Sequence, residues 1–242
     1  MLESSKTILV TGGTRGLGLA VTKRLATTGY KVIAAGRQST PELEKILTNS
    51  NVHFEPLDLA EHAEIHNFVK RVTQAHGHLY GLVNNAAIGH DGVLATMHDS
   101  QIESLISVNL TGTILLTKYA IRSMLLQREG RVINVSSIIA NTGFNGLSVY
   151  AATKAALNGF TRSLARELGK ARITVNSVAP GYMQTDMTGA LQGEKLESIK
   201  RRSPLGRLAT VDDAAAAIAW LLSHEAASVT GTTLTVDAGS TA

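Results

Sequence analysis

Tyr150 and Lys154 stand four residues apart in the run SVYAATK, with only Ala151, Ala152 and Thr153 between them. In a helix, positions i and i+4 share a face, so the phenol and the ammonium would enter one pocket. A free tyrosine titrates near ~10 and is neither a good base nor a labile acid at neutral pH. At an effective dielectric of about 20, a cation ~5 Å from the phenolate favours ionisation by roughly 3 kcal/mol, or about two pKa units. The spacing therefore predicts a tyrosine drawn down toward ~8, able to pass a proton to a carbonyl oxygen or take it back. In an arbitrary helix the same pair would be only a ring packed on a lysine stem. Context favours the chemistry. Ser137 follows the strand-like run RVINVS (131–136), thirteen residues before the tyrosine. A hydroxyl there can hydrogen-bond and orient a substrate oxygen, or merely form the turn at a strand end.

A second cluster lies at the start of the chain. VTGGTRGLG (10–18) places Gly12, Gly16 and Gly18 in a G-x-x-x-G-x-G spacing directly after the strand-like run TILVT (7–11). Glycine allows a tight strand-to-helix turn and lets the backbone approach a pyrophosphate at the helix N-terminus. Gly12, Gly13, Thr14, Arg15, Gly16, Leu17 and Gly18 are the expected cradle. A site for NAD usually carries Asp or Glu at the end of the second strand, for the ribose 2′-OH. This chain has AAGRQ (34–38) there, with Gly36 and Arg37 instead. Two guanidiniums, Arg15 and Arg37, with no carboxylate suit a 2′-phosphate, so the expected cofactor is NADPH. Asp58, followed by Leu59 in PLDLA, is placed to accept from an adenine amino group or to cap the next helix.

These clusters need elements that bring them together. Strand-like runs at 7–11, 31–35, 52–56, 79–83, 131–136, 173–178 and 232–236 alternate with helical patterns at 17–28, 41–48, 60–76, 99–127, 149–168 and 211–223. Such alternation predicts a Rossmann-type, doubly wound parallel α/β sheet of about seven strands, with helices on both faces. Ligands of open α/β sheets lie beyond the carboxyl ends of the strands, and the candidate residues fall there. The 242 residues suit one domain, 1–242. The stretch 179–207 lacks periodicity and holds Pro180, Gly181, Gly189, Gly193, Pro204 and Gly206, which suggests a substrate lid at about 186–205.

Composition narrows the classes. The chain has no cysteine, which excludes disulfides, zinc–thiolate sites and iron–sulfur clusters. Net charge is +4, but the basic residues are scattered, so ordinary solvated faces are expected rather than a nucleic-acid surface. With neither a leader-like N-terminus nor about 18 consecutive apolar residues, a cytoplasmic protein is expected, with no membrane partner. His62 and His66 have a metal-like spacing without a suggested third ligand, and are read as a solvated helix face. His76 and His78, flanking Gly77, are read as surface residues, and no G-x-S-x-G elbow supports a hydrolase.

TGGTRGLG, NNAA (84–87), Asn109, Ser137, Tyr150 with Lys154, and Pro180–Gly181 together resemble the short-chain dehydrogenase/reductase family in order and spacing. The resemblance covers essentially the whole chain. ARITVNSVAPGYMQTDMT and VTGTTLTVDAGS resemble the 3-oxoacyl-(acyl-carrier-protein) reductase branch of that family. The resemblance implies catalytic roles for Asn109, Ser137, Tyr150 and Lys154, and favours Ser137 over Ser136. It implies that Asn109 holds a water in a proton path to Lys154, and that Lys154 also binds the nicotinamide ribose. It places Asn85, Ala86 and Ala87 at the nucleotide, although Asn85 could simply tie neighbouring strands and Ala87 stands where Gly is more usual. Pro180, Gly181, Met183 and Thr185 would meet the nicotinamide side. A homotetramer and a carrier-bound or small-molecule 3-oxoacyl substrate are further implications, with Arg128, Arg131 and Arg172 as the expected contacts for an acidic acyl carrier protein. Another alcohol or ketone, or a silent NADP-binding regulator, are the alternatives.

Overall fold

The structure is a computed structural model and describes residues 6–183, 197, 200–201 and 203–242. Seven strands form one sheet: β1 (Thr7–Thr11), β2 (Lys31–Gly36), β3 (Val52–Pro56), β4 (Leu79–Asn84), β5 (Gly130–Val135), β6 (Ile173–Pro180) and β7 (Thr233–Val236). Their order is β3-β2-β1-β4-β5-β6-β7, and every neighbouring pair is parallel. The direction of winding reverses between β1 and β4, which opens a crevice at their carboxyl ends. The central strands β1, β4, β5 and β6 are buried along their whole length, as expected of strands covered on both faces.

The helices divide between those faces. Helix α1 (Gly16–Thr27) packs with α8 (Val211–Leu222) over a cluster that includes Leu25, Val83, Ile133 and Ile218. On the other face, α3 (Ile65–His76), α5 (Thr113–Gln127) and α7 (Ser148–Leu168) bury Phe68, Leu116, Met124 and Leu164 against Leu9, Leu82 and Val175. The short helices α2 (Pro41–Glu44) and α6 (Ile139–Thr142) lie after β2 and β5.

Three helical expectations are corrected. The pattern at 41–48 is helical only over Pro41–Glu44, and that at 60–76 begins as a 3₁₀ turn at His62–Glu64. The run 99–127 is α4 (Asp99–Ile106), a π-helical segment (Ser107–Gly112) and α5. Gly112, at the end of the π-helical segment, lets the chain approach Leu59 closely: a Cβ there would lie 2.3 Å from the Leu59 carbonyl oxygen. This run is long and apolar enough to cross a membrane by composition, yet Leu116, Ala120 and Met124 spend that character inside the core. The expected lid falls largely outside the described residues, as does Thr185.

Candidate active site

The glycine loop leaves β1 and becomes α1 within four residues. Gly12 has φ +62°, and a Cβ there would sit 2.9 Å from Asn85 Nδ2; one on Gly18 would sit 2.0 Å from the Gly12 oxygen. Arg15 occupies the N-cap of α1 without a side-chain cap, and the first turn holds no acid. The first-turn N–H groups are thus left for an anion. Gly36 ends β2 against Thr14, where an added Cβ would meet Thr14 Cγ2 at 3.0 Å. Arg15 and Arg37 are exposed, and neither forms an ion pair among the described residues. A cavity of about 360 Å³ is lined by Arg37, Leu57, Asp58, Phe68 and Arg71 and also carries Glu61 and Glu64; Arg15 is not among its lining residues. Asp58 accepts from the Ala60 N–H at 2.9 Å, a local turn bond that leaves its second oxygen for a ligand. Leu59 is buried under the π-helical segment. The loop, the uncapped helix end and the unpaired arginines fit a dinucleotide carrying a 2′-phosphate.

The end of β4 is tied to this loop. Asn85 Nδ2 donates to the Thr11 and Gly12 oxygens at 2.9 and 3.2 Å. The strand-tying reading of Asn85 is therefore visible, and Ala86 joins it by donating its N–H to Thr11 Oγ1 at 3.0 Å. Ala87 follows, half-buried.

Helix α7 brings the remaining groups to the end of β5. Lys154 is 3% exposed, and its Nζ donates to the Val135 oxygen at 2.8 Å while lying 5.6 Å from the centre of the Tyr150 ring. Ser136 is buried and donates to the Lys154 oxygen at 3.0 Å, fixing α7 on β5. Ser137 is half-buried and its Oγ accepts from the Ile139 N–H at 3.3 Å, so its proton stays available to a ligand. The neighbour loops close around this point: Ile138 N–H donates to the Pro180 oxygen at 3.1 Å, and Gly181 N–H to the Val236 oxygen at 2.9 Å. A Cβ on Gly181 would meet Asp237 Cβ at 2.6 Å. Met183 packs, half-buried, against the core cluster beneath α1 and α8.

Two expectations change here. Burial pushes the Tyr150 phenol up to about 12 and the Lys154 ammonium down to about 8, where the spacing had predicted a lowered tyrosine. The loss of hydration outweighs the cation, whose Nζ is committed to the Val135 oxygen. As an amide in the middle of SVNLTG, Asn109 would be expected on its residue type to be a partly exposed helix residue, and it is not. It lies buried in the π-helical segment and clamps the backbone of Ile88, accepting from its N–H at 2.8 Å and donating to its oxygen at 2.9 Å. Its Nδ2 also reaches Thr153 Oγ1 on α7 at 3.4 Å.

Several residues carry the site without having been singled out. Asn84 Nδ2 donates to Asn134 Oδ1 and to Thr117 Oγ1, and Asn134 Nδ2 donates to Thr161 Oγ1. Polar residues interrupting apolar strand runs, as in LVNN and RVINV, were the available signal. Conversely, Arg131 is buried in β5, with its guanidinium 5.5 Å from the Tyr80 ring centre, so it is no surface docking residue. Arg128 and Arg172 stay exposed. His62 is half-buried and bonds Ser107, while His66 stays exposed, as expected of a solvated face, with its ring stacked on Tyr119. His76 lies 3.1 Å from Glu55, and no group of three metal-binding side chains occurs among the described residues.

A glycine-cradled crevice beside a buried tyrosine–lysine pair on a doubly wound sheet defines a nucleotide-dependent oxidoreductase, and the chain belongs to the short-chain dehydrogenase/reductase family. The family profile described as enoyl-(acyl carrier protein) reductase matches residues 12–241. The 3-oxoacyl-(acyl-carrier-protein) reductase of Vibrio cholerae serotype O1 is 39% identical over 235 residues, covering 97% of this chain and 96% of the relative. The enzyme of the same name from Aquifex aeolicus is 37% identical over 239 residues, with 97% and 96% coverage. A solved structure described as ElxO with NADP bound superposes with a TM-score of 0.89 at 29% identity, covering 98% of each chain.

Proposed function

We propose that this protein is an NADPH-dependent reductase of 3-oxoacyl thioesters. The observation that carries the reading is full-length similarity, at 39% identity, to reductases named for that reaction, in a chain that retains Ser137, Tyr150 and Lys154 together at the end of β5. The solved relatives described with NADP and NADPH bound, and the unpaired Arg15 and Arg37, support the cofactor. Bound NADPH supplies the hydride for the C3 carbonyl carbon. The loop Gly12–Gly18 and the α1 N-terminus hold the pyrophosphate, and the two arginines hold the 2′-phosphate. Ser137 orients the carbonyl oxygen by donating its free proton. Tyr150 then gives its phenolic proton to that oxygen, completing the 3-hydroxyacyl product. Lys154 holds the nicotinamide ribose and carries the positive charge that makes the resulting phenolate tolerable.

The test is turnover of acetoacetyl thioester on a carrier protein and on CoA, of crotonyl thioester and of unrelated ketones, with NADPH and NADH. Reduction of the acetoacetyl thioesters with NADPH is expected; preference for crotonyl thioester or for an unrelated ketone refutes the substrate assignment. Tyr150→Phe should keep NADPH affinity and lose turnover by about 10²–10⁴-fold. Arg128 and Arg172 offer the exposed cationic surface for an acidic carrier. Their charge reversal should weaken the carrier substrate and spare the CoA substrate. We further infer a cytoplasmic homotetramer: Leu126 at the end of α5 and Trp220 on α8 are exposed apolar residues suited to contacts between copies, which light scattering would detect.

A further inference from the structure

The dipeptide Asn–Gly occurs twice in the chain, at Asn145–Gly146 and Asn158–Gly159, and the fold gives the two copies opposite surroundings. Asn145 ends an exposed run that starts at Asn141, in the loop between α6 and α7. With Gly146 it forms the centre of a turn closed by the Leu147 N–H, which donates to the Phe144 oxygen at 3.1 Å. Gly146 has φ +79°, the left-handed value that favours glycine at the third place of such a turn. A turn of this kind leaves the N–H of its third residue outside the closing bond. Neither that N–H nor the Asn145 side chain has a hydrogen-bond partner among the described residues. Asn158 differs on every count. It is buried on α7, and the N–H of Gly159 belongs to the hydrogen-bond ladder of that helix.

An exposed asparagine followed by glycine can cyclise. The Gly146 nitrogen attacks Asn145 Cγ and forms a C–N bond, and the side-chain nitrogen leaves as ammonia with the proton that the backbone gives up. The missing Cβ of glycine leaves the ring closure unhindered. Water then opens the succinimide at either carbonyl, giving aspartate or, where the chain continues through Cγ, isoaspartate. Water is the one co-reactant. We propose that Asn145 is a site of spontaneous deamidation, and that its isoaspartyl form disturbs the helix start that presents Tyr150. Aspartate at this position keeps the backbone and adds a negative charge just ahead of α7, which a helix N-terminus favours. Isoaspartate instead lengthens the main chain by one carbon inside the turn. Leu147, which closes the turn, is also the N-cap of α7, its oxygen accepting from the Ala151 N–H at 2.8 Å. Tyr150 lies in the first turn of that helix. The Gly146 oxygen accepts from the Gly92 N–H at 2.9 Å, which ties the loop after β4 to the same turn. Both ties flank the end of the crevice where Tyr150 stands. The effect on turnover rests on the reading of Tyr150 as the proton donor; the modification itself does not.

The test is to incubate the full chain at mildly alkaline pH, where the attacking amide ionises more readily. Samples are taken over weeks for peptide mapping by mass spectrometry and for turnover of acetoacetyl thioester with NADPH. Asn145 should lose its amide at least about a hundredfold faster than Asn158, whose reaction waits for α7 to open. The same protein in urea should lose both amides at similar rates. A folded protein in which Asn145 keeps its amide as long as Asn158 overturns the proposal. Turnover should fall in step with the isoaspartyl fraction. Asn145→Ser, which has no amide to lose, should keep its turnover through the same incubation, and fresh Asn145→Asp should start at the native value. Turnover that stays constant while isoaspartate accumulates, or that decays equally in Asn145→Ser, overturns the effect on Tyr150. Fresh native protein without reductase activity refutes the functional reading instead, and the peptide maps still decide the site.

Discussion

Replacing Lys154 by Met should expose the cost of keeping an ammonium inside this fold. The lysine is lowered from 10.5 to about 8 by burial. A lowered pKa means that the unfolded chain binds more protons than the folded one between the two values, so native stability rises with pH across that window. From pH 7 to about 10.5, the gain is on the order of 3 kcal/mol at 1.36 kcal/mol per unit. Methionine keeps the apolar stem and cannot titrate, so its stability lacks this component. It also gives up the bond to the Val135 oxygen, a loss that is nearly independent of pH because a neutral amine donates as well. The assay is urea unfolding of the native and Lys154→Met proteins at pH 7 and 10.5, compared as a difference of differences in which other titrations cancel. The native protein should gain about 3 kcal/mol on the variant between the two pH values. Stability curves that run parallel in pH would show that the ammonium is not desolvated, and would refute the reasoning.

Other expectations are simpler. Arg37→Asp should weaken NADPH binding about ten- to hundredfold, as expected for losing a hydrogen bond to a charged group, while leaving NADH affinity equal or better; unchanged NADPH affinity in fluorescence titration would count against the 2′-phosphate site. Gly112→Ala forces a methyl to within 2.3 Å of the Leu59 oxygen, so it should lower Tm and loosen NADPH binding through the Leu57–Leu59 segment. Gly159→Ala provides the control on α7, where nothing lies within 4 Å of the new Cβ. It should stabilise by about 0.5–1 kcal/mol, read as a raised urea midpoint.

The strands were legible because each is a short apolar run between turn residues, and the structure moves their ends by only one or two positions. Gly36 joins β2, and Ala179–Pro180 extends β6. Ser137, Tyr150 and Lys154 were legible because their spacing survives in any helix that follows β5. What stayed hidden depends on contacts between distant segments. The π-helical segment carries the contacts of Gly112 with Leu59 and of Asn109 with Ile88, neither of which a periodicity contains. Arg131 reads as a surface charge until β5 is seen to run through the centre of the sheet. His66 acquires a partner only when Tyr119 arrives from α5.

The tyrosine is the instructive case, because the sequence supplies the attraction and withholds the opposing term. A lysine one turn away favours the phenolate by an amount that an assumed separation makes large. The structure replaces that separation with a lysine bonded to Val135 and a phenol whose ionised form has lost its water, and the sign reverses. A raised value suits reduction. The proton stays on the phenol at pH 7, and the alkoxide formed by hydride addition is a stronger base than a phenolate even at about 12, so transfer remains downhill. In the free protein burial thus keeps the phenol in its acid form at neutral pH, and the group that must supply the opposing charge when a nucleotide binds is the lysine one turn away.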